Sequence, residues 1–338
     1  MRTVTRLAAT GAALALVLSA TAGTATADTV GTAPTRVLAG GATGLSGPSG
    51  VTRAANGEWY VANGNGNSIT VYSGSAVGNA APTRTISGVS TGLSAPRAVA
   101  LDASGYVYVA NEGNNSIRVF APGVNGNVFP VKTIQGAGTG LANPAGLVLL
   151  GDGSLLVTNF SGNSVLKFAP TASGNAVPMM TLKGASTGLA NPVGIAVAPS
   201  GALYVGNSQS VTVYAQMANG DVAPIRTIGG LASNLSGSYG VALDSSGNVY
   251  VGSFANRRIT VFAPGANGNA TPRRVLEGGS SQLTKIYGIW LAPNRSLTVT
   301  GFDGNTINTY APLVPQAVTA PSAVRSLTVG GRPSAKRR

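Results

Sequence analysis

The chain repeats itself at a nearly fixed interval, and this feature constrains its fold more than any other. The triplet Thr-Gly-Leu stands at 43–45 and returns at 91–93, 139–141 and 187–189, each time 48 residues further on. Ser233-Asn234-Leu235 and Ser281-Gln282-Leu283 continue the series after one interval that is two residues shorter. Six copies of a 46- to 48-residue unit therefore make up most of the chain.

Each unit has the period of β-strands. In the second copy, apolar alternation predicts strands at 98–101, 107–110, 116–120 and 131–134, with glycine and proline between them. Solenoids of the leucine-rich or hexapeptide type have a shorter period, and helical repeats need a 3.6-residue pattern that is absent. Four antiparallel strands in each unit predict an all-β fold, a six-bladed β-propeller of four-stranded antiparallel blades.

The two ends of the repeat array predict how the ring closes. Ala33–Leu38 matches Ala81–Ile86 at the 48-residue interval, so the chain starts with a lone fourth strand. This N-terminal strand is expected to complete the last blade, whose first three strands come from about 284–310. Residues 320–329 could compete for that place, and the sequence alone leaves the choice between the two segments open.

The N-terminus has the pattern of a signal peptide. Arg2 and Arg6 precede the apolar run Leu7–Leu18, and Ala25-Thr26-Ala27 follows as a small-residue cleavage site. We predict a signal peptide at 1–27, the propeller at 28–312 and a basic tail at 313–338. The tail resembles the opening strand of a fibronectin type III domain. The mature protein is expected to be secreted.

The composition limits the kinds of membrane anchor and binding partner that the protein can have. There is no cysteine for a disulfide or a lipid anchor, and after the signal peptide no apolar run is long enough to span a membrane. Removing Arg2 and Arg6 from the 22 basic residues leaves 20 against 9 acidic ones, a net charge of about +11. A solvated basic surface accounts for this charge, and so would a surface that binds an anionic cell-wall polymer. We expect a monomer that binds no nucleic acid.

The consensus of the repeat resembles the NHL-repeat family. It is clearest at 239–244 (Tyr-Gly-Val-Ala-Leu-Asp), 247–251 (Gly-Asn-Val-Tyr-Val) and 258–262 (Arg-Ile-Thr-Val-Phe), and it extends over about 43–312. The resemblance implies the six-bladed propeller. It leaves function open, since propellers of this and related types include protein- and RNA-binding modules, kinase sensor domains, lyases and lactonases.

Catalytic chemistry has little support in the sequence. The chain has no histidine, which excludes the usual mechanism of the related lyases, and no cysteine nucleophile. Related lactonases hold calcium through oxygen ligands, but Glu112 and Asp303 are the only carboxylates expected in loops at one mouth of the ring. We therefore predict no catalytic residue, metal or cofactor, and keep a calcium-dependent lactonase- or lyase-like enzyme as the alternative.

Two positions vary while the framework around them repeats. They lie just before the first strand and just after the second, in loops that share one mouth of a propeller, which is how a scaffold presents a site. The predicted ligand-binding residues there are Arg97, Glu112, Phe160, Tyr239, Phe254, Tyr287, Phe302 and Asp303. Aromatic faces with a few polar groups suit a sugar, a peptide or an aromatic small molecule. We therefore predict a secreted, non-catalytic binding or scaffold propeller whose partner is an extracellular protein, peptide or glycan. The same rings could instead simply cap the blades.

A further repeat position is basic. Arg36, Arg84, Lys132, Arg226 and Arg274 stand on the predicted fourth strands, with Met180 as the exception. Charges on an outer strand discourage edge-to-edge association, and we expect these residues on the outer rim.

Overall fold

A computed structural model describes residues 28–314. The predicted signal peptide lies outside the described residues, and so does the predicted tail from residue 315 onward. Among residues 28–314, no helix has the length and apolar character that crossing a membrane would require.

The described chain forms six β-sheets, one for each repeat. Two strands come before the first complete repeat: β1 (Asp28–Val30) and β2 (Arg36–Ala39). Blade 1 contains β3 (Pro48–Arg53), β4 (Trp59–Asn63), β5 (Ser68–Tyr72) and β6 (Arg84–Ser87). Blade 2 contains β7 (Pro96–Leu101), β8 (Val107–Asn111), β9 (Ser116–Phe120) and β10 (Lys132–Gln135). Blade 3 contains β11 (Pro144–Leu149), β12 (Leu155–Asn159), β13 (Ser164–Phe168) and β14 (Met180–Lys183).

The second half of the ring follows the same plan. Blade 4 contains β15 (Ile195–Val197), β16 (Leu203–Gly206), β17 (Ser210–Tyr214) and β18 (Arg226–Gly229). Blade 5 contains β19 (Ser238–Leu243), β20 (Val249–Ser253), β21 (Arg258–Phe262) and β22 (Arg274–Leu276). Blade 6 contains β23 (Ile286–Leu291), β24 (Leu297–Gly301), β25 (Thr306–Tyr310) and β2. Within each blade, consecutive strands pair antiparallel, which confirms the predicted fold class.

The repeating Thr-Gly-Leu triplet forms a short turn at the joint between blades. The hydroxyl of Thr43 donates to the carbonyl of Gly40 at 2.7 Å and accepts from the backbone N–H of Leu45 at 3.3 Å. Gly44 follows in the left-handed region, where glycine has no steric cost, and Leu45 is buried. The turn is one 3-10 helix at each joint: Gly41–Thr43, Val89–Thr91, Ala137–Thr139, Ala185–Thr187, Leu231–Ser233 and Gly279–Ser281. Another 3-10 helix, Glu112–Asn114, lies in blade 2.

Asparagine side chains join neighbouring blades. The Oδ1 of Asn79, in the loop between the third and fourth strands of blade 1, accepts from the N–H of Ala42 in the preceding joint at 2.7 Å. Asn127, Asn175, Asp221 and Asn269 accept in the same way at the following joints. Each carboxamide or carboxylate therefore satisfies a free N–H of the 3-10 turn, as helix caps do.

The innermost strands approach one another closely because one position is a glycine or alanine. A Cβ at Gly50 would lie 2.8 Å from the carbonyl oxygen of Arg97, and one at Gly288 would lie 2.3 Å from that of Ser49. At the next position the large residue packs against the preceding blade, and it is buried in four of the six blades: Val51, Val99, Ile195 and Val241. Pairing of large with small residues thus sets the packing around the axis.

The N-terminal segment closes the ring, as the repeat match predicts. β2 pairs antiparallel with β25, with Leu38 opposite Ile307, and completes blade 6. β1 pairs parallel with β22 and gives blade 5 a fifth strand. Leu313 and Val314 pack into the same joint, so both ends of the described chain meet between blades 5 and 6. At the next joint, Trp290 of blade 6 contacts Trp59 of blade 1 edge to face, with 5.0 Å between ring centres.

Candidate functional site

One hydrogen bond in each blade brings the two variable positions together. The residue after the second strand donates its backbone N–H to the loop before the first strand. Phe160 donates to Asn143 at 3.0 Å, Phe254 to Gly237 at 2.8 Å and Phe302 to Lys285 at 2.8 Å. The repeated backbone therefore fixes both positions on one mouth of the ring, whatever side chain each blade carries there.

Five aromatic side chains meet at this mouth. The ring centre of Tyr239 lies 4.9 Å from that of Phe254, 5.1 Å from that of Tyr287 and 6.5 Å from that of Phe160. Phe302 lies 5.9 Å from Tyr287 and 6.2 Å from Phe254. All of these pairs are tilted or edge-to-face, and none is the face-to-face sandwich that aromatic quadrupoles disfavour. We call these five residues the aromatic platform.

Small residues form the base of the platform. Ala145 and Val193 are buried beneath it, and Tyr287 is the one platform ring that is buried with them. Phe160, Tyr239, Phe254 and Phe302 are half-buried, so each keeps part of its ring exposed. Burial raises the pKa of Tyr239 and, more strongly, that of Tyr287 further above physiological pH, where a phenol is already neutral.

Arg97 reaches the platform from blade 2 by crossing blade 1. Its guanidinium lies over Tyr287 at 5.0 Å and over Phe302 at 5.6 Å, both from the ring centre, and its Nε pairs with Glu112. Gly64 leaves the space for this path, since a Cβ there would lie 2.9 Å from Nη1 of Arg97. Within the described chain this Nη1 is buried without a hydrogen-bond partner. The Arg97–Glu112 pair thus packs against the aromatic platform and is not an isolated surface pair.

A second ion pair lies on the blade 6 side. The Nζ of Lys285 is 3.1 Å from the carboxylate of Asp303 and 5.4 Å from the ring centre of Phe254. The sequence analysis did not identify Lys285. It stands two residues before Tyr287, at a position occupied by Gly237 in blade 5 and Gly47 in blade 1. Comparing that position across the repeats as well would have found it.

The platform covers one end of the central channel. The innermost strands of all six blades line a cavity of ≈ 110 Å³, and Arg97, Tyr239 and Tyr287 border it. The mouth is therefore a shallow surface of rings and charges with little enclosed volume behind it. Such a surface can stack on a planar or ring-shaped group.

The carboxylates at this mouth are both paired with cations. Glu112 pairs with Arg97, and Asp303 pairs with Lys285. Across residues 28–314, no three acidic side chains come together in a group that could hold a metal ion.

The comparisons with known proteins reveal the fold. No protein-family model matches the chain, and no curated protein matches it. The WD40 β-propeller domain of Doa1 is 15% identical over 78% of each chain, with a TM-score of 0.55. A streptogramin B lyase is 14% identical over 80% of this chain and 85% of its own, with a TM-score of 0.56. The virginiamycin B lyase from Staphylococcus aureus is 13% identical over 80% and 86%, with a TM-score of 0.55. The chain is thus similar to propellers of different functions, and these comparisons do not establish the NHL-repeat family.

Proposed function

We propose that this protein is a secreted, non-catalytic scaffold that binds an extracellular protein, peptide or glycan through the aromatic platform. One observation carries the proposal: the least repetitive positions of six otherwise similar blades assemble into one continuous group of aromatic rings. Framework packing alone would not need five aromatic rings on one mouth, because blades 1 and 4 complete the same joints with Gly64 and Ser208.

The chemistry of the platform favours partners with ring faces and polar edges. Half-buried rings offer apolar area with little side-chain entropy to lose on binding. The Arg97–Glu112 and Lys285–Asp303 pairs provide donors and acceptors beside the rings. The buried Nη1 of Arg97 has no partner among the described residues, so a small movement of this side chain would let it donate to a ligand oxygen. Sugars and proline- or aromatic-containing peptides combine these features.

The small volume of the central cavity favours recognition at the surface. A hydrolase or lyase of small molecules needs a pocket that holds most of the substrate, and the cavity behind the platform measures ≈ 110 Å³. The paired carboxylates Glu112 and Asp303 likewise favour a binding role.

Secretion is part of the proposal and rests on the N-terminal sequence pattern. Expression of the full chain in a bacterial host, followed by N-terminal sequencing of the protein from the medium, should give Asp28 as the first residue. Protein that stays in the cells with Met1 intact would contradict this part of the proposal.

The binding role can be tested on glycan and peptide arrays. Wild-type protein should bind a defined subset of spots, and the double variant Tyr239→Ala, Phe254→Ala should lose them. Phe129→Ala is the matched control, since Phe129 is a 79% exposed aromatic residue in the loop between β9 and β10 and belongs to neither variable position. Arrays that are empty for wild type, or identical for wild type and the double variant, would contradict the proposal. Calcium binding that Glu112→Ala and Asp303→Ala abolish would support the enzymatic alternative instead.

A further inference from the structure

A cleft opens between blades 3 and 4 on the face opposite the aromatic platform. Its walls are the turn after β11, the turn after β15 and the loop after β17, and its volume is ≈ 450 Å³. Apolar side chains of Leu156, Met180 and Leu203 form the floor, and Lys167, Asp152 and Gln216 also line it. We call it the blade 3–4 cleft. It has the size of a small-molecule site.

At this cleft the repeat pattern of the two outer strands is inverted. In five blades an uncharged residue on the third strand faces a basic residue on the fourth: Val71 and Arg84, Val119 and Lys132, Val213 and Arg226, Val261 and Arg274, Thr309 and Arg36. In blade 3 the basic residue is on the third strand, where Lys167 faces Met180. The exchange moves one positive charge from the outer strand into the blade.

A second replacement removes the tyrosine partner that the basic residue has in blades 1 and 4. In blade 1 the guanidinium of Arg84 donates to the Tyr60 hydroxyl at 3.0 Å and lies 5.8 Å from that ring centre. Arg226 and Tyr204 repeat this contact in blade 4, at 2.7 Å and 5.7 Å. Blade 3 has Leu156 at the tyrosine position. Together Leu156 and Met180 replace a polar stack with an apolar floor.

The side chain of Lys167 is buried, and its ammonium is weakly paired. Lys167 is only 9% exposed, which is rare for a lysine unless the ammonium is fully paired. The acceptor within its reach in the described chain is the Asp152 carboxylate, 3.5 Å away, whose side chain is 61% exposed. That carboxylate also accepts from the backbone N–H of Ser154 at 2.9 Å. An ammonium has three N–H donors, so Lys167 can donate a further hydrogen bond to a ligand in the cleft.

The rim of the cleft is held in a strained conformation. Met217 has a φ of +63°, in the left-handed region, at the turn position where Gly123 and Gly265 have φ of +73° and +77°. A methionine there costs free energy that glycine would not, and such outliers gather at ligand sites. Its side chain is 69% exposed at the edge of the cleft. Methionine is the flexible apolar residue that adaptable binding surfaces use.

We propose that the blade 3–4 cleft binds a small amphipathic carboxylate. The carboxylate accepts a hydrogen bond from Lys167 and shares that cation with Asp152. The apolar part lies on Leu156 and Met180, and Met217 covers it from the rim. A neutral or cationic molecule of the same shape lacks the charge that the weakly paired ammonium of Lys167 attracts, so the site discriminates against it.

The test measures binding of octanoate to the full-length protein by calorimetry, with octylamine and 1-octanol as probes of the same chain length. Octanoate should bind more tightly than either of them. The double variant Lys167→Val, Met180→Lys keeps the net charge and recreates the Val119–Lys132 pair of blade 2, so it should fold. It should weaken octanoate binding by about tenfold or more, the expected effect of losing a charge-assisted hydrogen bond.

Two controls separate this site from others. Lys132→Met removes a cation from the fourth strand of blade 2 and should leave octanoate binding unchanged. Tyr239→Ala with Phe254→Ala alters the aromatic platform and should also leave it unchanged, so the two proposals fail independently. The proposal is overturned if millimolar octanoate does not bind, if octylamine binds as tightly, or if the Lys167→Val, Met180→Lys variant binds octanoate like wild type.

Discussion

Blade 6 takes its outer strand from the other end of the chain, so the stability of the ring should depend on β2 as much as on an internal fourth strand. Leu38 on β2 is 6% exposed and packs in a cluster with Trp59, Val61 and Tyr72 of blade 1. Leu182 on β14 is its matched residue in blade 3 and is 0% exposed. We therefore expect Leu38→Ala and Leu182→Ala to destabilise the protein to a similar extent.

The magnitude follows from the burial of the two side chains. A buried Leu→Ala change costs about 2–5 kcal/mol through lost transfer free energy and the cavity that remains. In a domain of this size, about 3 kcal/mol lowers Tm by roughly 5 °C. Urea unfolding measures the free energy directly, and the transition should be read by two probes at once.

The two tryptophans of the chain make the closing joint visible on its own. Trp59 and Trp290 contact each other between blades 6 and 1, in the cluster that contains Leu38. Their fluorescence therefore reports that joint, whereas far-UV circular dichroism reports all six blades. In wild type the two transitions should coincide. The account of closure is refuted if Leu38→Ala costs less than about 0.5 kcal/mol while Leu182→Ala costs several times more. It is also refuted if the fluorescence of the wild-type protein changes at a clearly lower urea concentration than its circular dichroism.

Three shorter predictions concern the joints, the buried phenols and the platform. Asn79→Ala should cost about 1 kcal/mol in urea unfolding, whereas Asn79→Asp should cost little, since Asp221 already caps the equivalent turn. Burial raises the pKa of Tyr310 from 10.0 to about 12, so its stabilising contribution is complete below pH 10 and is lost as the pH rises toward 12; Tyr310→Phe should reduce the slope of stability against pH in that window only. Gly64→Ala should displace the Arg97 guanidinium and weaken any array hit that depends on it, and unchanged binding would show that this cation is not used.

The sequence predicts most of the fold because each blade obeys the same local rules. The Thr-Gly-Leu turn forms from residues within five positions of one another, and the predicted strands of the second repeat agree with β7 to β10 to within two residues. β1 was not predicted. It pairs with β22 through Asp28–Val30. At the position of Val30 the other blades have Gly78 or an equivalent glycine, which makes only a single parallel bridge. Because a one-residue bridge has no strand periodicity, the repeats gave no pattern from which β1 could be predicted.

The platform was predictable in position but not in geometry. The repeat alignment identifies the variable residues and the mouth they share, and the structure brings Phe160, Tyr239, Phe254, Tyr287 and Phe302 together there. The repeat alignment could not show that the Arg97 side chain crosses blade 1 to reach blade 6. That path depends on the direction of a long side chain and on the space that Gly64 leaves in another repeat.

The aromatic platform as a recognition surface is the central claim, and one measurement separates recognition from simple capping of the blades. For the strongest array hit, the affinity and the free energy of unfolding should be measured for Phe254→Ala, Phe302→Ala and Leu182→Ala. The account predicts that both platform variants lose about tenfold or more in affinity, and that Leu182→Ala is destabilised yet binds like wild type. If Phe254→Ala and Phe302→Ala lose stability while their affinity stays at the wild-type value, the rings only cap the blades and the claim is wrong.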